Sequence, residues 1–203
     1  MLLWIDMDYS IEKSVVDEGF QLICGVDEAG RGPLAGPVYA AAVILPIGLV
    51  IEGLNDSKKI TAKKREQLFD VIISEAIAYS IAFSTVDEIE ELNILNASQL
   101  AMRRAVQNLG VKADYALIDG NIARGFEIPC KTVIKGDSLS PSIAAASILA
   151  KVSRDRYCMK MHEKYPQYHF DKHKGYGTKM HYEAIKSFGP CPEHRRSFLK
   201  NVL

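Results

Sequence analysis

Residues 21–45, QLICGVDEAGRGPLAGPVYAAAVIL, hold two short apolar runs joined by a glycine-rich turn. The first run ends in the acidic pair Asp27-Glu28, and the second, over 38–45, is followed by Pro46. Short apolar runs bounded by turn residues predict buried β-strands. The segment therefore predicts two strands of one sheet, with two carboxylates where the first strand ends.

The rest of the chain alternates strand patterns with helical patterns, without an internal repeat or a low-complexity linker. This alternation is typical of an α/β fold. Further strands are predicted over 78–86, 115–118 and 131–134. Helices are predicted over 61–76, 93–109, 140 to just before 166, and 178–189, from capping residues, apolar spacing and the Gly or Pro residues that end helices.

Acidic residues follow three of the predicted strands: Asp27 and Glu28 the first, Asp119 the strand at 115–118, and Asp137 the strand at 131–134. If these strands are neighbours that run in one direction, their carboxylates meet at one edge of the sheet. Such a cluster stays ionised only with cations in it, and hard oxygen ligands select Mg²⁺ or Mn²⁺. Two such ions suit the in-line attack of water on a phosphodiester. The acids therefore predict phosphoryl chemistry on a nucleic acid.

Each acid also has an ordinary structural explanation. Asp119 precedes a glycine in a common turn pair, Asp137 could cap a helix, and Glu28 could pair with Arg31 at the surface. The shared position at strand ends favours a site over three unrelated explanations.

Residues 30–36, GRGPLAG, which we call the glycine turn, do not fit a dinucleotide-binding loop. The third glycine comes one place late, and Pro33 would spoil the helix start at which a phosphate binds. Glycines also allow the backbone to approach a ligand closely. A sugar 2′-hydroxyl is a ligand that peptide groups can recognise in this way.

The formal charge is zero, with 25 basic and 25 acidic side chains, but the charges are unevenly distributed. Residues 1–150 carry 13 basic and 20 acidic side chains, whereas residues 151–203 carry 12 basic and 5 acidic ones and all 5 histidines. The basic part is either a solvated helical face or an arm that neutralises phosphates. Its aromatic residues could cover an edge of the core, but Tyr176, between two glycines, favours stacking on a nucleotide.

Four cysteines stand far apart without a C-x-x-C pair, so neither a disulfide framework nor a zinc ribbon is indicated. Cys191 and His194 could be two zinc ligands, although no other soft ligands have a matching spacing. The amino-terminal sequence has no export signal, and no apolar run is long enough to span a membrane. We expect a reduced, cytoplasmic protein.

Six segments together resemble bacterial ribonuclease HII, in order from about residue 20 to about residue 198. They are GVDEAGRGPLAGPV at 25–38, NDSKK at 55–59, IDGN at 118–121, KGDS at 135–138, SIAAASILAKVSRD at 142–155 and HKGYGT at 173–178. The related ribonuclease HIII family usually has a different sequence after its Asp-Glu pair, so the chain is more similar to HII.

The resemblance implies a ribonuclease H-like fold, with a five-stranded mixed sheet, flanking helices and a C-terminal helical segment. It divides the chain into an N-terminal extension of unknown role (1–18), a catalytic core (19–150) and a basic helical substrate-binding segment (151–203). It also implies an endonuclease, expected to be a monomer, that cuts the RNA strand of RNA/DNA hybrids. Such enzymes also nick duplex DNA 5′ to an embedded ribonucleotide and leave 3′-hydroxyl and 5′-phosphate ends.

The same resemblance implies roles for individual residues. Asp27, Glu28, Asp119 and Asp137 would be catalytic and would hold two Mg²⁺ or Mn²⁺ ions. Gly30, Arg31 and Gly32 would recognise the ribose 2′-hydroxyl, and Tyr176 would stack on the following sugar. The matched motifs imply further substrate contacts at Lys58, His173 and Lys174.

Two other classes remain open on the residues alone. A metal-dependent DNA nuclease could use the same acids without recognising a 2′-hydroxyl. A non-catalytic nucleic-acid-binding module would need the basic segment but not the acids.

Overall fold

A single sheet forms the centre of the protein, whose computed structural model describes residues 7–57 and 60–200. Its strands are β1 (Ile23–Ala29), β2 (Val38–Ile44), β3 (Ala78–Ser84), β4 (Tyr115–Asp119) and β5 (Cys130–Val133). They form one sheet in the order β3-β2-β1-β4-β5. β2 is antiparallel to β1 and β3, whereas β4 is parallel to β1 and β5. The predicted five-stranded mixed sheet is confirmed, and β1, β4 and β5 run in one direction, although β1 extends past Asp27 and Glu28 to Ala29.

The helices of the described ranges are α1 (Ser10–Asp17), α2 (Ala62–Glu75), α3 (Val86–Leu92), α4 (Ile94–Gln107), α5 (Pro141–Lys164), α6 (Phe170–His173) and α7 (Lys179–Phe188). Short 3₁₀ turns occur at Gly136–Ser138, Pro166–Tyr168 and Arg196–Phe198. Among these helices, none is both long and apolar enough to cross a membrane.

Local capping explains where most helices begin. The side chains of Thr61, Ser140 and Thr178 each accept a hydrogen bond from the backbone N–H three residues later, as predicted. The third strand ends at Ser84 and not at residue 86, because α3 starts at Val86. Thr85 and Glu88 form a reciprocal capping box that begins α3.

Helices cover both faces of the sheet. The α4 helix packs on one face through Ala97, Ala101 and Met102, and the first half of α5 packs on the other beside α2. β1 and α5 approach closely at Gly25, where a Cβ atom would lie 2.1 Å from the backbone carbon of Ser142. Only glycine allows this contact, which holds α5 beside the strand that carries Asp27.

The C-terminal segment packs on the far end of α5. Its core contains Met161 of α5, Phe170, Ile185 and Leu34 of the glycine turn. Residue 151, where the sequence divides into core and basic segment, lies inside α5, so the two parts share one helix.

The α1 helix, in the segment whose role the sequence left unassigned, is joined to the core through Glu12. This carboxylate is fully buried and accepts hydrogen bonds from the Ser140 hydroxyl at 2.6 Å and the Ser142 N–H at 3.2 Å. Val15 packs with Leu117 and Ile143 beside it. A carboxylate at the N-terminus of α5 binds unpaired N–H groups and interacts favourably with the helix dipole.

Replacing Glu12 by alanine should therefore lower the free energy of unfolding by about 1–3 kcal/mol, because buried donors lose their acceptor. Equilibrium denaturation in urea measures this change. Lys13→Ala, on the exposed side of the same helix, is the control and should stay within about 0.5 kcal/mol of the parent. Equal stabilities of Glu12→Ala and the parent would contradict the role given to Glu12.

Candidate active site

Asp27 lies at the centre of the candidate site. It is 5% exposed, and its Oδ1 accepts the Glu28 N–H at 2.7 Å. The Ser147 hydroxyl of α5, itself 2.9 Å from the Ser57 hydroxyl, also hydrogen-bonds to Asp27. Burial first, and then the charges of Glu28 and Asp119, raise the pKa of Asp27 well above its ordinary value. The site therefore holds carboxylates whose joint ionisation is unfavourable without a cation.

Asp119 and Asp137 come to the same edge through the β4–β5 pairing. Asp119 ends β4, which is hydrogen-bonded to β1, and its Oδ1 accepts the Gly136 N–H at 2.7 Å. Asp137 is the next residue, in a 3₁₀ turn, and is 5% exposed. Asp119 thus stabilises the turn that carries Asp137. Within residues 7–57 and 60–200, no three His, Cys, Asp or Glu side chains already form a ready-made metal site.

A cleft of about 270 Å³ lies beside Asp27. It is lined by Asp27, Glu28, Ala29, Gly30, Arg31, Gly32, Ser57, Ser147, Lys151, Arg154 and Tyr176. Tyr176 is 47% exposed, and a Cβ atom on Gly32 would lie 3.6 Å from its Cε1. The glycine turn, Tyr176 and two acids therefore share one cleft.

The surface pairing considered for Glu28 is also present. Arg31 Nη1 lies 3.4 Å from Glu28 Oε1, with the arginine side chain half exposed. The pair lies at the cleft, so it does not remove Glu28 from the site.

Of the other residues predicted to contact the substrate, His173 and Lys174 are not among the residues that line this cleft. Lys58 lies outside the described residues. Lys174 Nζ donates to the Asp171 carbonyl at 2.6 Å. His173 is buried, and its ring nitrogens contact the Tyr168 carbonyl at 2.7 Å and the Gly175 N–H at 3.2 Å. His173 thus lies behind the surface of the loop that carries Tyr176.

Buried histidines fix the backbone of that loop. His181 Nδ1 lies 2.9 Å from the Tyr176 carbonyl, and His181 Nε2 lies 3.0 Å from His194 Nε2. Cys191 donates its N–H to His194 Nδ1 at 3.0 Å. These bonds assign the ring protons, because a carbonyl can only accept: His181 donates from Nδ1, and His194 donates from Nε2. His173 is predicted above to contact the substrate and His194 is considered as a zinc ligand, but both are buried, as is His181.

Several residues of the site have no role predicted from the sequence, although some lie in the matched segment at 142–155. Ser147, Lys151 and Arg154 lie at helical spacing on one face of α5 and all line the cleft. Polar residues with that spacing in an alanine-rich helix were the available signal. Arg195, which is fully buried beneath the glycine turn, had no comparable signal.

A larger cavity, of about 570 Å³, lies between the end of α4 and the loop before β5. It is lined by residues such as Arg103, Val106, Lys112 and Phe126, and by none of the predicted site residues. The predicted chemistry is therefore not in this larger cavity.

Comparison with known proteins identifies the family. A sequence model described as ribonuclease HII matches residues 24–201. The chain belongs to the ribonuclease HII family. A ribonuclease HII from Caldicellulosiruptor bescii is 55% identical over 195 residues, which cover 96% of this chain and 95% of the relative. Membership establishes a ribonuclease H-type hydrolase that cleaves RNA in RNA/DNA hybrids.

Solved structures agree with the fold. The ribonuclease H2 of Pyrococcus horikoshii OT3 is similar with a TM-score of 0.73 and 27% identity, over 90% of this chain and 97% of that one. Bst-RNase HIII, determined in complex with Mn²⁺, is similar with a TM-score of 0.65 and 16% identity, over 87% of this chain and 64% of that one. The ribonuclease H-like fold predicted for this chain is thus confirmed.

The buried histidines predict a loss of stability in acid. Burial lowers the pKa of His181 and of His194 from 6.5 to about 4, so the unfolded chain binds more protons between these values. The free energy of unfolding should fall as the pH drops from about 6.5 to about 4, by about 1.4 kcal/mol per pKa unit and histidine at most. Urea unfolding at several pH values measures this slope.

His181→Asn should be less stable at neutral pH but show a shallower slope. His169→Asn, which replaces an exposed histidine, should keep the parent slope. An unchanged slope in His181→Asn would show that this histidine is not the group being titrated.

Proposed function

We propose that the enzyme is a divalent-metal-dependent endonuclease that nicks duplex DNA 5′ to single ribonucleotides as well as hydrolysing RNA/DNA hybrids. The products would carry 3′-hydroxyl and 5′-phosphate ends. The observation that carries the proposal is the shared cleft. Asp27, Glu28, the glycine turn and Tyr176 all line it.

The chemistry of the acids fits a divalent cation. Asp27 is buried with the charges of Glu28 and Asp119 close enough to raise its pKa, and Asp137 is buried in the turn that Asp119 holds. Oxygen-only ligands of this kind suit Mg²⁺ or Mn²⁺. When bound, such ions would activate water and stabilise the leaving 3′-oxygen. The four acids would hold the ions, and Ser147 orients Asp27.

The glycine turn would supply the ribose specificity. Among the described residues, none accepts a hydrogen bond from the N–H of Arg31 or Gly32. Peptide N–H groups beside the cleft can donate to a 2′-hydroxyl, which DNA lacks. Tyr176 would stack on the next sugar, so that a ribonucleotide followed by deoxyribonucleotide is recognised as a junction.

The basic C-terminal segment would contact the phosphate backbone. Lys174 of this segment, together with Lys58 of the core, would neutralise phosphates, and His173 would act through the loop it supports. Substrate of this kind implies a cytoplasmic enzyme of DNA repair and RNA primer removal, which we expect to act as a monomer. Contacts between these lysines and phosphates predict binding that weakens as the salt concentration rises.

The test is cleavage of a labelled DNA duplex that carries one ribonucleotide, with Mg²⁺ and with EDTA. We expect a single Mg²⁺-dependent cut 5′ to the ribonucleotide. Asp27→Asn, Asp119→Asn and Asp137→Asn should each lower the rate by about 100-fold or more while the protein stays folded. Asp70→Asn, at an exposed position on α2, is the matched control and should cut normally.

Near-full activity of Asp27→Asn in saturating Mg²⁺ would refute the site. Cleavage of an all-DNA duplex at a comparable rate would instead favour a general DNA nuclease.

Tyr176 offers a separate test of junction recognition. Tyr176→Ala should lose nicking at a single ribonucleotide more than it loses hybrid digestion, because a hybrid presents many equivalent riboses. Tyr79→Ala removes a similarly exposed tyrosine from edge strand β3 and should leave both rates unchanged. Equal losses on both substrates in Tyr176→Ala would refute junction recognition.

A further inference from the structure

Two buried arginines hold the carbonyl groups of the glycine turn. Arg195 is fully buried, and its guanidinium donates to the carbonyls of Gly30 at 2.7 Å, Arg31 at 2.9 Å, Pro33 at 2.8 Å and Gly36 at 2.9 Å. Only an arginine side chain has enough donors in a fixed plane to reach four carbonyls at once.

Arg154 completes this support from α5. It is 1% exposed and donates to the carbonyls of Ala35 at 3.1 Å and Pro37 at 3.3 Å. A Cβ atom on Gly30, whose φ is +104°, would lie 2.0 Å from Arg154 Nε. The arginine therefore packs directly against the turn, at a position that only glycine can occupy.

The bound carbonyls determine where the opposite N–H groups point. The carbonyls of Gly30 and Arg31 belong to the same peptide units as the N–H groups of Arg31 and Gly32. In a trans peptide the two groups point in opposite directions, and the described residues contain no cis peptide bond. Binding the carbonyls to Arg195 therefore turns these two N–H groups away from the arginine. It also polarises the peptide units, which strengthens them as donors.

The same arginines connect the turn to the loop of Tyr176. Arg154 Nη1 donates to the Lys174 carbonyl at 3.0 Å, and the Leu34 N–H donates to the Gly175 carbonyl at 2.8 Å. The backbone N–H of Arg195 donates to the Leu34 carbonyl at 2.8 Å. Arg195 follows His194 in the sequence, and His194 contacts His181. The Arg154 guanidinium thus bonds to both elements proposed to face the ribonucleotide, and the Arg195 guanidinium bonds to the glycine turn.

Folding stability alone does not explain this arrangement. Every hydrogen bond that the two guanidiniums make within the described ranges goes to a backbone carbonyl, and none goes to a carboxylate. Two neighbouring buried cations are costly even when hydrogen-bonded. The positive charge of the two guanidiniums lies behind peptide N–H groups. These N–H groups would face the ribose 2′-hydroxyl and the neighbouring phosphates of the substrate.

We propose that Arg154 and Arg195 are positioning residues that set ribonucleotide specificity, by fixing the glycine turn and Tyr176 at one separation. The proposal rests on the function proposed above. A hybrid offers a ribose in every register, so a displaced turn still finds a 2′-hydroxyl. A single ribonucleotide offers one register only, so its cleavage depends on the separation of the two elements.

The experiment compares kcat/KM on a single-ribonucleotide duplex with kcat/KM on an RNA/DNA hybrid, for Arg154→Lys and Arg195→Lys. The ratio of the two values is independent of the fraction of active enzyme. We expect each variant to lower this ratio by about tenfold or more, since small displacements of recognition groups cost this much. Arg156→Lys, at an exposed arginine two residues along α5 that pairs with Glu66, should keep the parent ratio.

Circular dichroism at the assay temperature establishes that each variant is folded. A parent ratio in both folded Lys variants would overturn the proposal, and so would unfolding of both, because the arginines would then be structural. If one variant unfolds, the ratio of kcat/KM values measured for the other variant tests the proposal. Failure of the parent enzyme to nick a single ribonucleotide would instead refute the proposed function.

Discussion

Parallel pairing of β4 with β1 on one side and β5 on the other places acidic side chains at a common edge of the sheet. Asp27 and Glu28 lie near the carboxyl end of β1, Asp119 ends β4, and Asp137 lies shortly after β5. Burial and two neighbouring carboxylates raise the pKa of Asp27, which shows that the arrangement is electrostatically unfavourable by itself. The fold thus contains a local cost that a divalent cation would remove, and the rest of the site is arranged around this edge.

A second set of contacts, in which buried arginines hold backbone carbonyls, supports the glycine turn. The glycine turn lacks regular ladder bonds, and its carbonyls are instead bound by Arg195 of the C-terminal segment and Arg154 of α5. The same segment holds Tyr176 through His181. The acids and the residues that support the glycine turn therefore come from different parts of the chain, and α5 joins them, since it contacts Asp27 through Ser147 and the turn through Arg154.

The sequence predicted those features that depend on local or periodic signals. The strands, the caps at Thr61, Ser140 and Thr178, and the acids at strand ends are of this kind. The α3 helix also had a local signal, the Thr85 and Glu88 capping box, which was overlooked. Glu12 binds α5 across 128 residues of sequence, and Arg195 reaches the glycine turn from the other end of the chain. Such contacts have no local pattern, so neither could be predicted. The burial of His173, His181 and His194 could not be predicted either, because composition does not distinguish a buried, hydrogen-bonded imidazole from an exposed one.

The central claim is that the acids at this edge repel one another and are held together by divalent cations. Thermal unfolding in EDTA and in Mg²⁺, for the parent and for Asp119→Asn, tests it without reference to activity. We predict that Mg²⁺ raises the midpoint of the parent by several degrees. In EDTA, Asp119→Asn should melt above the parent, because one negative charge near Asp27 is gone while the acceptor for Gly136 remains. A parent midpoint unaffected by Mg²⁺, together with a lower midpoint for Asp119→Asn in EDTA, would contradict the account.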